Sequence, residues 1–138
     1  MVNESEKESL IRKVDCIRMP VSDLESGLKF YRDSLGHELI WRTETSVGLR
    51  IPESKAELVI HTEPDEFEVD LTVNSAEIAA KRFKSAGGSI IAGPFEIPIG
   101  KCVIVKDPWR NKLILLDTSK GIFKTDSEGN VIGNINTD

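Results

Sequence analysis

A chain of 138 residues, 39% hydrophobic and 30% charged, suits one soluble domain with a core and a pocket, because folding at this size buries roughly two-thirds of the unfolded surface. The net charge of −5, from 23 acidic and 18 basic residues without a Lys/Arg block, lacks the basic footprint that phosphate backbones demand, so nucleic acid is not expected as a partner. The polar opening MVNESEKESL lacks a signal-peptide pattern, no stretch is apolar enough to span a bilayer, and Cys16 and Cys102 form no C-x-x-C pair, so a cytoplasmic protein without a membrane partner is expected.

In chain order, a polar tail over 1–10 precedes VDCIRMPV (14–21), which carries enough Val, Ile and Met for a strand. Ser22 and Asp23 are helix N-caps, and Leu24, Leu28, Tyr31 and Leu35 recur at helical spacing until Gly36 supplies a stop. HELIWRT, GLRIP and AELVIHT follow as three strand-like runs, giving βαβββ.

The second half restates the first. Val21, Glu25, Lys29, Tyr31, Arg32 and Gly36 reappear 52 residues on, counted from Val21 to Val73, as Val73, Glu77, Lys81, Phe83, Lys84 and Gly88. The same offset pairs Val47 and Gly48 with Ile99 and Gly100, and a shift to 55 then lays Leu58, Val59 and Ile60 over Leu113, Ile114 and Leu115. Two βαβββ units, each with a sheet face to hide, imply a cleft for a small molecule. GIFKTDSEGNVIG reads as an added hairpin that covers an edge.

VSDLESGLKFYRDSLG resembles the first strand-to-helix signature of vicinal-oxygen-chelate proteins, and DPWRNKLILLD resembles their closing turn and last strand, usually written DPxGN, with Arg110 in place of the glycine. The resemblance implies an α+β fold of two βαβββ modules in pseudo-twofold tandem, the glyoxalase/bleomycin-resistance fold, over 11–118 (modules about 11–63 and 64–118), with a C-terminal hairpin and tail at 119–138. In the glyoxalases, extradiol dioxygenases and fosfomycin-resistance enzymes that this chain resembles, four inward strand positions hold a divalent metal. Here the resemblance places Cys16, Val59, Glu68 and Ile114 at them. Val and Ile offer no donor, so no metal and no other cofactor is expected; a rescued site on Cys16 and Glu68, helped by His61, is the alternative.

The candidate pocket residues are Arg18, Trp41, Arg50, His61, Glu68, Asp70, Lys101 and Ile114. Glu68 and Asp70 share one strand face, where coupled carboxylates can yield a general base, or where Asp70 can pair with Arg18. Arg18 can alternatively clasp a carboxylate or phosphate, and Trp41 and Trp109 can offer flat walls. Glu68 with His61 is the candidate catalytic pair. Three readings stand. The first is a metal-independent small-ligand binder of bleomycin-resistance type, acting as a homodimer. The second is a lyase, isomerase or dioxygenase of this family with an atypical metal site or metal-free acid–base chemistry. The third is a partner-binding regulatory module.

Overall fold

The computed structural model describes residues 8–135; most of the expected 1–10 tail lies outside them. Strands β1 (Lys13–Pro20), β2 (Leu39–Arg42), β3 (Ser46–Arg50) and β4 (Glu57–His61) enclose helix α1 (Leu24–Leu28), which continues as a π-helix over Lys29–Ser34. Strands β5 (Glu68–Thr72), β6 (Ser89–Ile97), β7 (Gly100–Lys106) and β8 (Lys112–Leu116) enclose helix α2 (Ala76–Ser85). Strands β9 (Ile122–Thr125) and β10 (Val131–Ile135) form the C-terminal hairpin. The order β-α-β-β-β therefore occurs twice, as the repeat implied, and the fold is α+β. Two compact units result: Asp15–Val69 with Phe123–Ile135, and Asp70–Ile122 with the residues up to Val14.

In the first unit the strands run β2-β3-β4-β1. Alternation sends Leu58 and Ile60 to one face, where they pack with Leu24, Leu28, Val47 and Leu49 under α1. Burying Leu28 completely contributes about 2 kcal/mol. Asp23 caps α1, its carboxylate accepting from the Ser26 N–H at 2.8 Å. In the second unit, ordered β5-β8-β7-β6, α2 buries Ala76, Ala79 and Ala80, while Val103, Val105 and Leu115 are fully enclosed. Its cap is Ser75, the residue 52 after Asp23.

Two details of the repeat differ from the sequence reading. The helix stop of the second half is Gly87, with φ +110°, rather than Gly88. The first helix contains a π turn, in which the Leu35 N–H donates to the Phe30 carbonyl; the extra residue puts its own left-handed stop at Gly36, one position later than the second helix would require. In the ladders, Arg18 pairs with Val59 and Gly48 with Val59, whereas Asp70 pairs with Ile114 and Ile104 with Ile114. The offset of 55 for β4 and β8 therefore holds, but Gly48 corresponds to Ile104, 56 residues on, and not to Gly100. The insertion precedes β7. Gly100 answers a different need, since a Cβ there would lie 2.3 Å from the Asp117 carbonyl oxygen.

Candidate functional site

The face of the first unit turned away from α1 is built by register. Cys16 and Arg18 on β1, Ser46 and Gly48 on β3, and Glu57, Val59 and His61 on β4 fall on it together, because directly paired residues share a face. Trp41 joins them from β2. It lies two residues after Leu39, yet Leu39 packs beneath α1 whereas Trp41 clusters with Cys16 and Val59; a register irregularity between the two re-aims the indole. The indole covers Gly48 so closely that a Cβ there would stand 2.1 Å from its Nε1.

Two polar groupings flank the buried Val59. At one end the Trp41 Nε1–H donates to Glu57 Oε1 at 2.7 Å. Burial raises the Glu57 pKa above its ordinary value; the Trp41 hydrogen bond opposes this, the Asp15 charge reinforces it, and Arg50 opposes it. At the other end the Arg18 guanidinium donates to Ser46 Oγ at 3.2 Å and lies 3.6 Å from Glu68, a half-buried pair. Arg18 thus has Glu68 as its ion-pair partner, where the sequence pointed to Asp70. Ser46 is the ladder partner of His61. His61 is 0% exposed; its Nδ1 lies 3.1 Å from the Glu63 carbonyl, which can only accept, so Nδ1 is the donor of that bond. Among the described residues Nε2 has no hydrogen-bond partner.

Arg18, Trp41, Arg50, His61 and Glu68 are therefore brought together in one unit, while Asp70, Lys101 and Ile114 belong to the other. Arg50 is the ladder partner of Glu57 at the exposed end of β3 and bonds to Glu38 at 3.2 Å. Lys101 reaches Glu77 in the first turn of α2, on the helix-covered side of its strand and away from Ile114. In the second unit Ile114 packs with Cys102 and Leu116, with Ile97, Ile99 and Ile104 alongside, and Asp70, its ladder partner, is buried. Glu57, Ser46 and Gly48 were missed, although Glu57 and Val59 are two residues apart in one strand and must share a face.

At the positions where this fold can carry metal ligands, Val59 is enclosed by Trp41 and Cys16, Ile114 by aliphatic neighbours, and Glu68 is engaged by Arg18. Val59 and Ile114 therefore supply no donor atom to a divalent centre.

The hairpin closes one margin of the face. Phe123 meets Trp41 edge-on with ring centroids 5.0 Å apart, Val131 packs beside it, and the Arg42 N–H donates to the Gly129 carbonyl at 2.8 Å, so the outer edge of β2 is covered as the sequence implied. An open recess of about 570 Å³ lies where the two meet, lined by Arg42, Thr43, Glu44, Asn130 and Val131.

The family described as Glyoxalase/Bleomycin resistance protein/Dioxygenase superfamily matches residues 13–115. No curated protein matches the chain in sequence. Among solved structures it resembles methylmalonyl-CoA epimerase from Mycobacterium tuberculosis (TM-score 0.64, 15% identity, 83% of this chain and 95% of that one). It also resembles a protein described as NAD-dependent benzaldehyde dehydrogenase from Legionella pneumophila (0.61, 20%, 75% and 97%). A third is homoprotocatechuate 2,3-dioxygenase from Brevibacterium fuscum (0.57, 21%, 78% of this chain but 37% of that one). At these identities the likeness concerns the fold.

Proposed function

The chain belongs to the glyoxalase/bleomycin resistance protein/dioxygenase superfamily, and from that premise we propose that it binds a small organic ligand without a resident metal, as a cytoplasmic homodimer. One observation carries the reading: the polar face of the first unit keeps Arg18, Ser46, Glu57 and His61 around an aliphatic Val59, at the place where family chemistry calls for a metal donor. A surface of this kind orients a ligand by hydrogen bonds and an apolar floor. No helix among the described residues is long and apolar enough to cross a membrane, and Cys16 and Cys102 are not joined in a disulfide.

A second reading is metal-free acid–base catalysis. It is favoured by Glu57, whose burial holds a proton to higher pH, together with His61 Nε2, which is buried without a hydrogen-bond partner among the described residues. Glu57 takes the place in this pairing that the sequence assigned to Glu68.

Metal analysis of tag-free protein, with Ni²⁺, Zn²⁺, Mn²⁺ and Fe²⁺ titrations by calorimetry, tests the first reading. No stoichiometric binding is expected; binding abolished by Cys16→Ala and by Glu68→Ala would overturn it. Ligand screening by Trp41 emission then separates binder from enzyme. Glu57→Gln is expected to leave ligand affinity within about tenfold under the first reading, and to abolish turnover under the second.

A further inference from the structure

One end of the first unit is short of hydrogen bonds. The surface ion pairs Arg42–Glu25 and Arg50–Glu38 close to 3.2 Å, and Lys120–Glu96 closes to 2.6 Å. Arg18 and Glu68, whose side chains are 21% and 11% exposed, stand 3.6 Å apart, beyond hydrogen-bond reach. Of the five N–H donors on the guanidinium one reaches Ser46 Oγ, and among the described residues no group donates to the Glu68 carboxylate. His61, the ladder partner of Ser46, adds its buried Nε2, which has no partner among the described residues either.

Two charges withdrawn from water recover their desolvation cost only when they lie close and their remaining protons and lone pairs are bonded, and this pair meets neither condition. Apolar residues of similar volume serve such a position equally well or better, so the fold does not account for the pair. Half-covered charges with bonding capacity to spare, still reachable from solvent, suit a ligand instead. Arg18 offers a planar fork of donors that matches a carboxylate, and Glu68 offers acceptors for a cationic donor. A ligand bearing a carboxylate alone would set it against Glu68, and one bearing an amine alone would set it against Arg18, a like-charge cost in either case. A group with both charges on neighbouring atoms meets each with its opposite and leaves the site neutral.

We propose that the ligand carries a zwitterionic α-amino acid group, whose carboxylate docks on Arg18 and whose ammonium docks on Glu68 as the two side chains part to admit it. One carbon joins the two charges of that group, which suits a cation and an anion that stand side by side. Ser46 keeps its bond to the guanidinium and holds its plane. The inference rests on the small-ligand reading above and adds the chemical class of the ligand.

Thermal unfolding of the full chain with each protein amino acid, added singly at about 10 mM, tests it, because a ligand that binds only the folded state raises the midpoint. At least one amino acid is expected to raise it. Calorimetry then compares that amino acid with its N-acetyl derivative and its methyl ester, each expected to bind at least about tenfold more weakly. Glu68→Gln is expected to weaken the parent amino acid by at least about tenfold and to bind the N-acetyl derivative more tightly than wild type does, a reversal that loss of structure would not produce. Arg18→Gln with Glu68→Gln, which leaves neither charge unpaired, is expected to fold and to bind none of the three. No midpoint shift with any amino acid would overturn the proposal, and so would binding that is unchanged in the double variant. If other small molecules then bind the chain, the small-ligand reading stands without this class; if none binds, that reading falls as well.

Discussion

The two units set unlike chemistry on like scaffolds. At matched ladder positions the first has Arg18, Ser46, Gly48 and His61 where the second has Asp70, Cys102, Ile104 and Leu116. The helix-covered faces remain aliphatic in both, because burying them stabilises each half; the opposite faces are free to differ, and one is largely polar while the other packs Ile, Leu and Cys beside the buried Asp70. The difference locates the candidate chemistry: a duplicated framework needs two cores but only one working surface. Their buried carboxylates differ as well. Desolvation raises the pKa of Glu57, whereas at Asp117 desolvation is outweighed by bonds from the Ala76 and Lys101 N–H groups and from Ser119, leaving its pKa low.

The largest break in this comparison is expected from Asp117→Ala. It orphans the first N–H of α2 and the Lys101 N–H, and should cost about 3 kcal/mol in urea unfolding followed by circular dichroism. Because the folded-state pKa of Asp117 is depressed below 3.8, its contribution is complete above that unfolded value and vanishes as pH falls through the folded one, so Asp117→Asn should flatten the acid limb of the stability curve.

Gly48→Ala strikes the first unit alone. The new methyl must displace the Trp41 ring, which should cost about 2 kcal/mol and red-shift Trp41 emission; an unchanged spectrum would show that the indole does not cover the strand. Arg110→Gly should raise stability by roughly 0.5 to 1 kcal/mol, the relief of left-handed strain less the added chain entropy, measured by thermal unfolding.

Glu57→Gln has the smallest expected effect at neutral pH, within about 0.5 kcal/mol of wild type and on the stabilising side. With a folded pKa above 4.5, wild type loses stability as pH rises from 4.5 through the folded value, while the Gln variant does not. A Gln variant that matches wild type at every pH would place Glu57 in water and remove the acid–base reading.

The sequence by itself determined the doubled βαβββ order, the helix cap at Asp23, the C-terminal hairpin and the absence of donors at Val59 and Ile114. These follow from period, spacing and side-chain chemistry, which are local quantities. Tertiary structure alone decided the rest. The irregularity in β2 turned Trp41 onto the polar face, the β7 register set Ile104 rather than Gly100 against Gly48, and packing of separate strands joined Arg18 to Glu68 and Trp41 to Glu57. Register is set by which face each strand must bury, and an insertion of a few residues shifts it without changing the alternating pattern from which a strand is read.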